Sequence, residues 1–290
     1  MKIHTLLLLA YSSFAHATIF PLFPRVGCFA RFATFRFDIG NPHQYRRYFR
    51  DDSAMTLWQT GRYVGAEAIR EYVDFVTPSN PLWSSNEQLD VTVKFVQFDR
   101  EASQCQFLAL YHYNYEIDES LGTIASNYTV ANMVKLFFNV KRRYIPKIHV
   151  FYTEDYVNLL FGTFFHTAET LAFICNVYEG STCASQLDPP TDCVAQLSAL
   201  DQTGTDGRVD GNSVGCRMLH AVLAESRRVH CPHISFEPLA DFQNQIKCQT
   251  EGSLTVSDLF TTEDLEAFDE YAVARGLNPN IGHDWTDGSV

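Results

Sequence analysis

The stretch Gly61-Arg62-Tyr63-Val64-Gly65-Ala66-Glu67-Ala68-Ile69-Arg70-Glu71-Tyr72 decides the fold. Two glycines four residues apart read as a turn, because glycine enters positive φ without a Cβ clash. After Gly65 the period changes. Ile69, Tyr72, Val73 and Val76 recur at i, i+3, i+4 and i+7, the stripe of an amphipathic helix. Upstream, residues 54–58 read as a short strand. Before them Asn41 is a good N-cap and Pro42 a good first helical residue, opening a helix that carries Tyr45, Tyr48 and Phe49.

Downstream the pattern turns to strands. Residues 91–98 are rich in β-branched and aromatic side chains. Gln104–Ile117 alternates: Phe107, Ala109, Tyr111, Tyr113, Tyr115 and Ile117 share one face, and His112, Asn114 and Glu116 the other. Residues 131–152 are long enough for two strands, with Pro146 at a bend or an edge. In a strongly curved sheet the polar side of such strands can line a cavity. Residues 156–178 are apolar but carry Asn158, His166, Glu169 and Asn176, so they read as a buried helix with a polar edge rather than a membrane span.

The order helix, strand, Gly-x-Tyr-x-Gly turn, helix and then long strands resembles the NTF2-like, or SnoaL-like, superfamily over residues 35–175. The resemblance implies an α+β fold: a cone-like curved antiparallel sheet with packed helices. It also implies a pocket in which Asp, His and Tyr do acid–base chemistry as lyases or isomerases, or a cone that only binds a ligand. Related domains often dimerise through the outer sheet face. Transferred to this chain, the catalytic candidates are His112, Asp51, Asp52 and Tyr48, with Trp58, Tyr63 and Asn114 lining the pocket. No complete catalytic motif of a known branch is present, so a small apolar ligand or an assembly role is the leading expectation. A lyase or isomerase is the alternative.

Beyond residue 178 the periodicity weakens and cysteines become dense. The expected division is a signal at 1–17, an NTF2-like domain at 18–178 and a cysteine-rich, mostly helical or irregular module at 179–290. Ser213 can cap a helix reaching about Arg227. A last helix starts near Thr261, with Phe260 and Leu265 placed for a hydrophobic staple and Gly276 placed to end it.

The N-terminus reads as a secretory signal. Lys2 is the positive start, residues 5–10 hold four leucines, and Ala15-His16-Ala17 is a small-x-small cleavage site. Cleavage there leaves about 270 residues. A secreted, extracellular protein without a membrane anchor is expected. The net charge of −12, or −13 once Lys2 is removed, disfavours nucleic-acid binding, which needs cations against phosphates. The basic runs Arg46-Arg47 and Lys141-Arg142-Arg143 read as solvated faces.

Eight cysteines lie beyond the signal: Cys28, Cys105, Cys175, Cys183, Cys193, Cys216, Cys231 and Cys248. In an exported chain an even number implies disulfides. Clustering suggests that the six C-terminal ones pair among themselves and leave Cys28 to Cys105. Asn127-Tyr128-Thr129 is a glycosylation sequon, expected in a surface loop. Cys216-x-x-x-His220 and His230-Cys231-Pro232-His233 have zinc-ligand spacing. Export assigns their cysteines to disulfides instead, Cys216 and Cys231 pairing with each other or with Cys248, so no metal or other cofactor is expected. The loop from Asp201 to Asn212, with Asp206 and Asp210, has the carboxylates of a calcium loop but not the register of an EF-hand.

Overall fold

The computed structural model describes residues 27–28, 30, 45–76, 83–99, 101, 103–117, 127–152, 168–188, 190–203, 208–241, 244–249 and 254–277. The expected signal, the Asn41-Pro42 helix start, residues 156–167 and Asp206 lie outside them. Helix α1 (Tyr45–Tyr48), strand β1 (Ala54–Leu57), strand β2 (Gly61–Val64) and helix α2 (Ala66–Val76) follow the predicted order. Gly61 and Gly65 take φ of +97° and +93°, where a Cβ would strain the backbone. The Gly65 N–H donates to the Ser53 carbonyl at 2.8 Å, and the Gly65 carbonyl accepts from Ile69 N–H at 3.1 Å, so one glycine closes the hairpin and opens the helix.

Four longer strands follow: β3 (Trp83–Asp99), β4 (Gln104–Ile117), β5 (Asn127–Asn139) and β6 (Tyr144–Tyr152). The sheet order is β2-β1-β6-β5-β4-β3. Neighbours are antiparallel except β1, which runs parallel to β6. Register shifts between β3 and β4, and between β5 and β6, bend the sheet. Pro146 lies within β6, at the β5–β6 shift, and the hairpin turns at residues 140–143 instead. A proline lacks the ladder N–H, and a bulge is where that omission costs least. Asn127 begins β5 opposite Glu116 rather than sitting in a loop.

The sheet's two faces divide the core. Met55, Leu57, Phe107, Ala109, Leu136, Phe138, Ile148 and Val150 lie on the inner face with Tyr48, Tyr63, Ile69 and Tyr72. The same cluster continues through helix α3 (Ala168–Glu179) and helix α5 (Val214–Ser226) to Ile234. Thr170, Leu171, Ile174, Cys175, Val177 and Tyr178 of α3 are buried, and Glu169 and Asn176 form its exposed edge. Helix α4 (Cys193–Ser198) is tied to α3 by the Cys175–Cys193 disulfide, across the expected boundary at residue 178. The other bonds are Cys28–Cys105, Cys183–Cys231 and Cys216–Cys248. Cys28 thus meets its expected partner, and the six C-terminal cysteines pair among themselves. Among the described residues no helix is long and apolar enough to cross a membrane.

On the outer face, Leu108, Leu110, Ala131, Met133 and Phe151 pack against helix α6 (Val256–Leu259) and helix α7 (Thr262–Val273). Thr261 caps α7 in a capping box with Asp264, Phe260 and Leu265 share the same apolar cluster, and Gly276 follows at φ +72°. The face that the resemblance offered for dimerisation is therefore covered by the chain's own helix. Lys135 Nζ meets Asp264 Oδ2 at 2.5 Å there, both side chains buried.

His149 also faces α6, its Nδ1–H donating to the Leu259 carbonyl at 2.8 Å between the rings of Phe137 and Phe260. Burial drives its pKa down to about 4, against the partial support of that carbonyl. A histidine held neutral in the fold contributes stability above its unfolded value of about 6.5. That stability is lost as pH falls toward 4. Unfolding free energy is expected to drop by roughly 3 kcal/mol between pH 7 and pH 4 from this group, and His149→Asn should flatten the slope in urea titrations. A wild-type slope retained in His149→Asn would refute the assignment.

Candidate functional site

The expected pocket residues do not converge. His112 pairs across β5 with Ala131, placing it on the outer face beside Leu110. Trp58 is on the outer side too, its ring tilted 47° to that of Phe151, with the Arg208 guanidinium 5.4 Å from its ring. Tyr48 and Tyr63 are buried in the inner cluster. Tyr63 donates to Thr60 Oγ1 at 2.8 Å, and burial raises its pKa. Asp51 and Asp52 are exposed in the turn before β1, where Asp52 accepts from the Tyr144 hydroxyl at 3.4 Å. Asn114 is in the distal part of β4, and its side chain lies outside the described residues. The structure does not bring His112 together with either aspartate, so the acid–base grouping implied by the resemblance is not formed. The reason is the strand pleat: His112 is one residue out of phase with the inner face.

Two other groupings form. The first lies at the mouth between α1 and the β5–β6 turn, a cavity of about 280 Å³. Arg47, Arg50, Arg142 and Arg143 ring it, and Tyr48 and Phe138 supply apolar wall. The Arg50 guanidinium sits 4.5 Å over the Tyr144 ring and donates to the Arg142 carbonyl at 3.0 Å. Asn139 Oδ1 accepts from the Arg142 N–H at 2.8 Å and fixes the turn. A second hollow of about 290 Å³ shares Asn139 and Arg142 and adds Lys141. Arg47 of the first basic run and Arg142 and Arg143 of the second, far apart in sequence, are thus walls of one cavity. Arg46 is held away by Glu67 at 2.6 Å, and the bond holds the Glu67 carboxyl below its usual range.

The second grouping is histidine-rich. His220 comes from α5, and His230 and His233 come from the 3-10 helix Arg228–Ile234. Three residues per turn place His230 and His233 on one face. His233 Nδ1 is 3.3 Å from His220 Nδ1, and His233 Nε2 is 3.1 Å from Asp241 Oδ2. His230 Nε2 is 3.0 Å from Glu71 Oε2, a carboxylate that also pairs with Arg227. Burial opposes ionisation of Glu71, but His230 and Arg227 outweigh it and hold the carboxyl below its usual range. Burial drives His220 and His233 down, so both are neutral imidazoles. Cys216 is bonded to Cys248, one of the expected pairings, whereas Cys231 is bonded to Cys183 and not to Cys216 or Cys248 as expected. Glu71 and Asp241 are distant in sequence from one another and carry no local motif. In the loop weighed for calcium, the Asp210 carboxylate is taken by Arg208 at 2.5 Å.

Residues 45–152 form a curved, six-stranded mixed sheet with helices packed on it, and the disulfide-bonded C-terminal part packs on both sheet faces. Solved structures similar to the chain include the hexachlorocyclohexane dehydrochlorinase LinA-type3 from Novosphingobium barchaimii, at 14% identity over 46% of this chain and 89% of that one, with a TM-score of 0.33. PrhC from Penicillium brasilianum is 14% identical over 47% of this chain and 87% of its own, with a TM-score of 0.33. A protein from Shewanella denitrificans assigned as a SnoaL-like polyketide cyclase is 11% identical over 38% and 79%, with a TM-score of 0.29. No protein-family profile and no curated protein sequence matches the chain.

Proposed function

We propose that this chain is a secreted, disulfide-braced binding protein of NTF2-like fold. Its ligand is small, with an anionic head and an apolar body, and it seats at the mouth between α1 and the β5–β6 turn. The observation that carries the reading is four arginines around the aromatic walls of Tyr48 and Phe138, on a chain whose net charge is −12. The apolar ligand expected from sequence gains a head group, because guanidinium donors bind carboxylate or phosphate in a fork. Export is supported by the signal at residues 1–17 and by eight cysteines that all pair, as in oxidising compartments. Asn127 is the expected glycan site. A homodimer through the outer sheet face would have to displace α7, so assembly is the weaker reading.

Decanoate and decanol distinguish the alternatives in titration calorimetry. Decanoate is expected to bind at least about tenfold tighter, the worth of a charge-assisted hydrogen bond of about 1.5–3 kcal/mol. The variant Arg47→Ala/Arg143→Ala should lose about 10–100-fold toward decanoate and little toward decanol. Equal binding of both probes, or binding unaffected by the double variant, would overturn the site.

A further inference from the structure

The histidine grouping is separate from the arginine mouth and has the composition of a metal centre. We propose that His220, His230 and His233 form a buried zinc site that joins the NTF2-like part to the disulfide-rich part.

Ser213 caps α5 by accepting from Cys216 N–H, and this sets the phase that turns His220 inward one helical turn after Cys216. The Cys216–Cys248 bond pins that turn. Cys231 stands between His230 and His233 and is bonded to Cys183, which pins the 3-10 helix. Both ligand-bearing segments are therefore held before any ion arrives, the condition for a tight site.

The distances agree. Two nitrogens bound to one tetrahedral zinc at ~2.0–2.1 Å lie ~3.3 Å apart. His220 Nδ1 and His233 Nδ1 are 3.3 Å apart already. The ligand atoms of all three histidines lie within 4.8 Å of one another, so His230 closes the set with a shift of at most about 1.5 Å. Its Nδ1 is buried and has no hydrogen-bond partner among the described residues. A buried imidazole nitrogen without a partner is costly, and an ion between the rings removes that cost.

The outer partners also agree. Asp241 holds His233 by Nε2, and Glu71 holds His230 by Nε2. A carboxylate on the far nitrogen fixes the tautomer, leaves Nδ1 free to ligate and raises its basicity. Lys247 is the opposing charge. Its ammonium is turned toward the Arg62 carbonyl at 3.3 Å and lies over the Tyr63 ring. Three imidazoles suit a borderline ion such as zinc and not calcium or magnesium. A fourth position remains for a small oxygen ligand. Glu71 comes from α2 while the ligands come from residues 220–233, so the ion ties the two parts together.

The test uses the full, disulfide-intact protein, dialysed against chelator and titrated with Zn²⁺ alone. One Zn²⁺ per chain is expected, and Co²⁺ in its place should give the visible absorption of a tetrahedral site. His220→Gln should weaken Zn²⁺ at least about 100-fold, and Asp241→Asn about 10–100-fold. Should His220→Gln fail to fold, Asp241→Asn and the wild-type Co²⁺ spectrum decide. Folded wild-type protein that takes up no Zn²⁺, an octahedral Co²⁺ spectrum, or wild-type affinity in Asp241→Asn would each overturn the proposal.

Discussion

Reduction of all four disulfides is expected to unfold the protein at 25 °C without denaturant. The bonds close loops of 77, 18, 48 and 32 residues. By chain entropy a single loop of this size contributes about 3–4.5 kcal/mol. Three of the loops overlap between Cys175 and Cys248, so their contributions are not independent. Even half the combined value rivals the 5–15 kcal/mol net stability of a typical domain. Helices α4 and α6 add little local stability, being only 6 and 4 residues long. The check is near-UV circular dichroism after reduction, with the number of free thiols counted by mass spectrometry. A reduced chain that keeps its native aromatic signal would show that packing alone suffices. Cys28→Ser/Cys105→Ser, by contrast, should leave the fold intact and cost about 4 kcal/mol.

The variant Asp264→Ala is expected to be the most damaging single substitution outside the cysteines. Asp264 Oδ2 meets Lys135 Nζ at 2.5 Å, with side-chain exposures of 5% and 7%. The same oxygen accepts the Thr261 N–H at 2.9 Å and completes the cap of α7. Alanine would leave a buried ammonium, on a residue paired across the sheet with Leu108 and His149, without a counter-ion. Stranding such a charge costs about 3–5 kcal/mol, and a lost cap adds about 1 kcal/mol. Urea unfolding should show the sum as a lower midpoint at unchanged slope. Lys135→Met added to Asp264→Ala should restore most of the loss, because an apolar pair of similar volume suits that layer. A single variant within 1 kcal/mol of wild type, or a double variant no better than the single, would contradict this account.

Local features were readable wherever the chemistry was local. Gly61 and Gly65, the Ser213 and Thr261 caps, the Gly276 stop and the full length of β4 needed only neighbouring residues. The Cys28–Cys105 pair followed from the clustering of the other six. The side of the sheet on which His112 would lie could not be read this way. Alternation states which residues share a face, and the helix that covers the outer face lies 129 residues beyond Lys135. The arginine mouth was hidden for a similar reason: Arg50 and Arg142 are 92 residues apart. The histidines were visible as spacing, but in an exported chain Cys216 and Cys231 read as disulfide partners, and the imidazoles alone make no sequence motif. Glu71 and Asp241, which make the nitrogens usable, have no motif to announce them.

The ion pair between Lys135 and Asp264 also sets a clock. Translation runs at about 5–20 residues per second, so the 129 residues between the partners take roughly 6–26 s to make. For that interval the nascent sheet presents Leu108, Met133, Phe151 and an unneutralised lysine to its surroundings. Any pause in elongation before Asp264 lengthens that window.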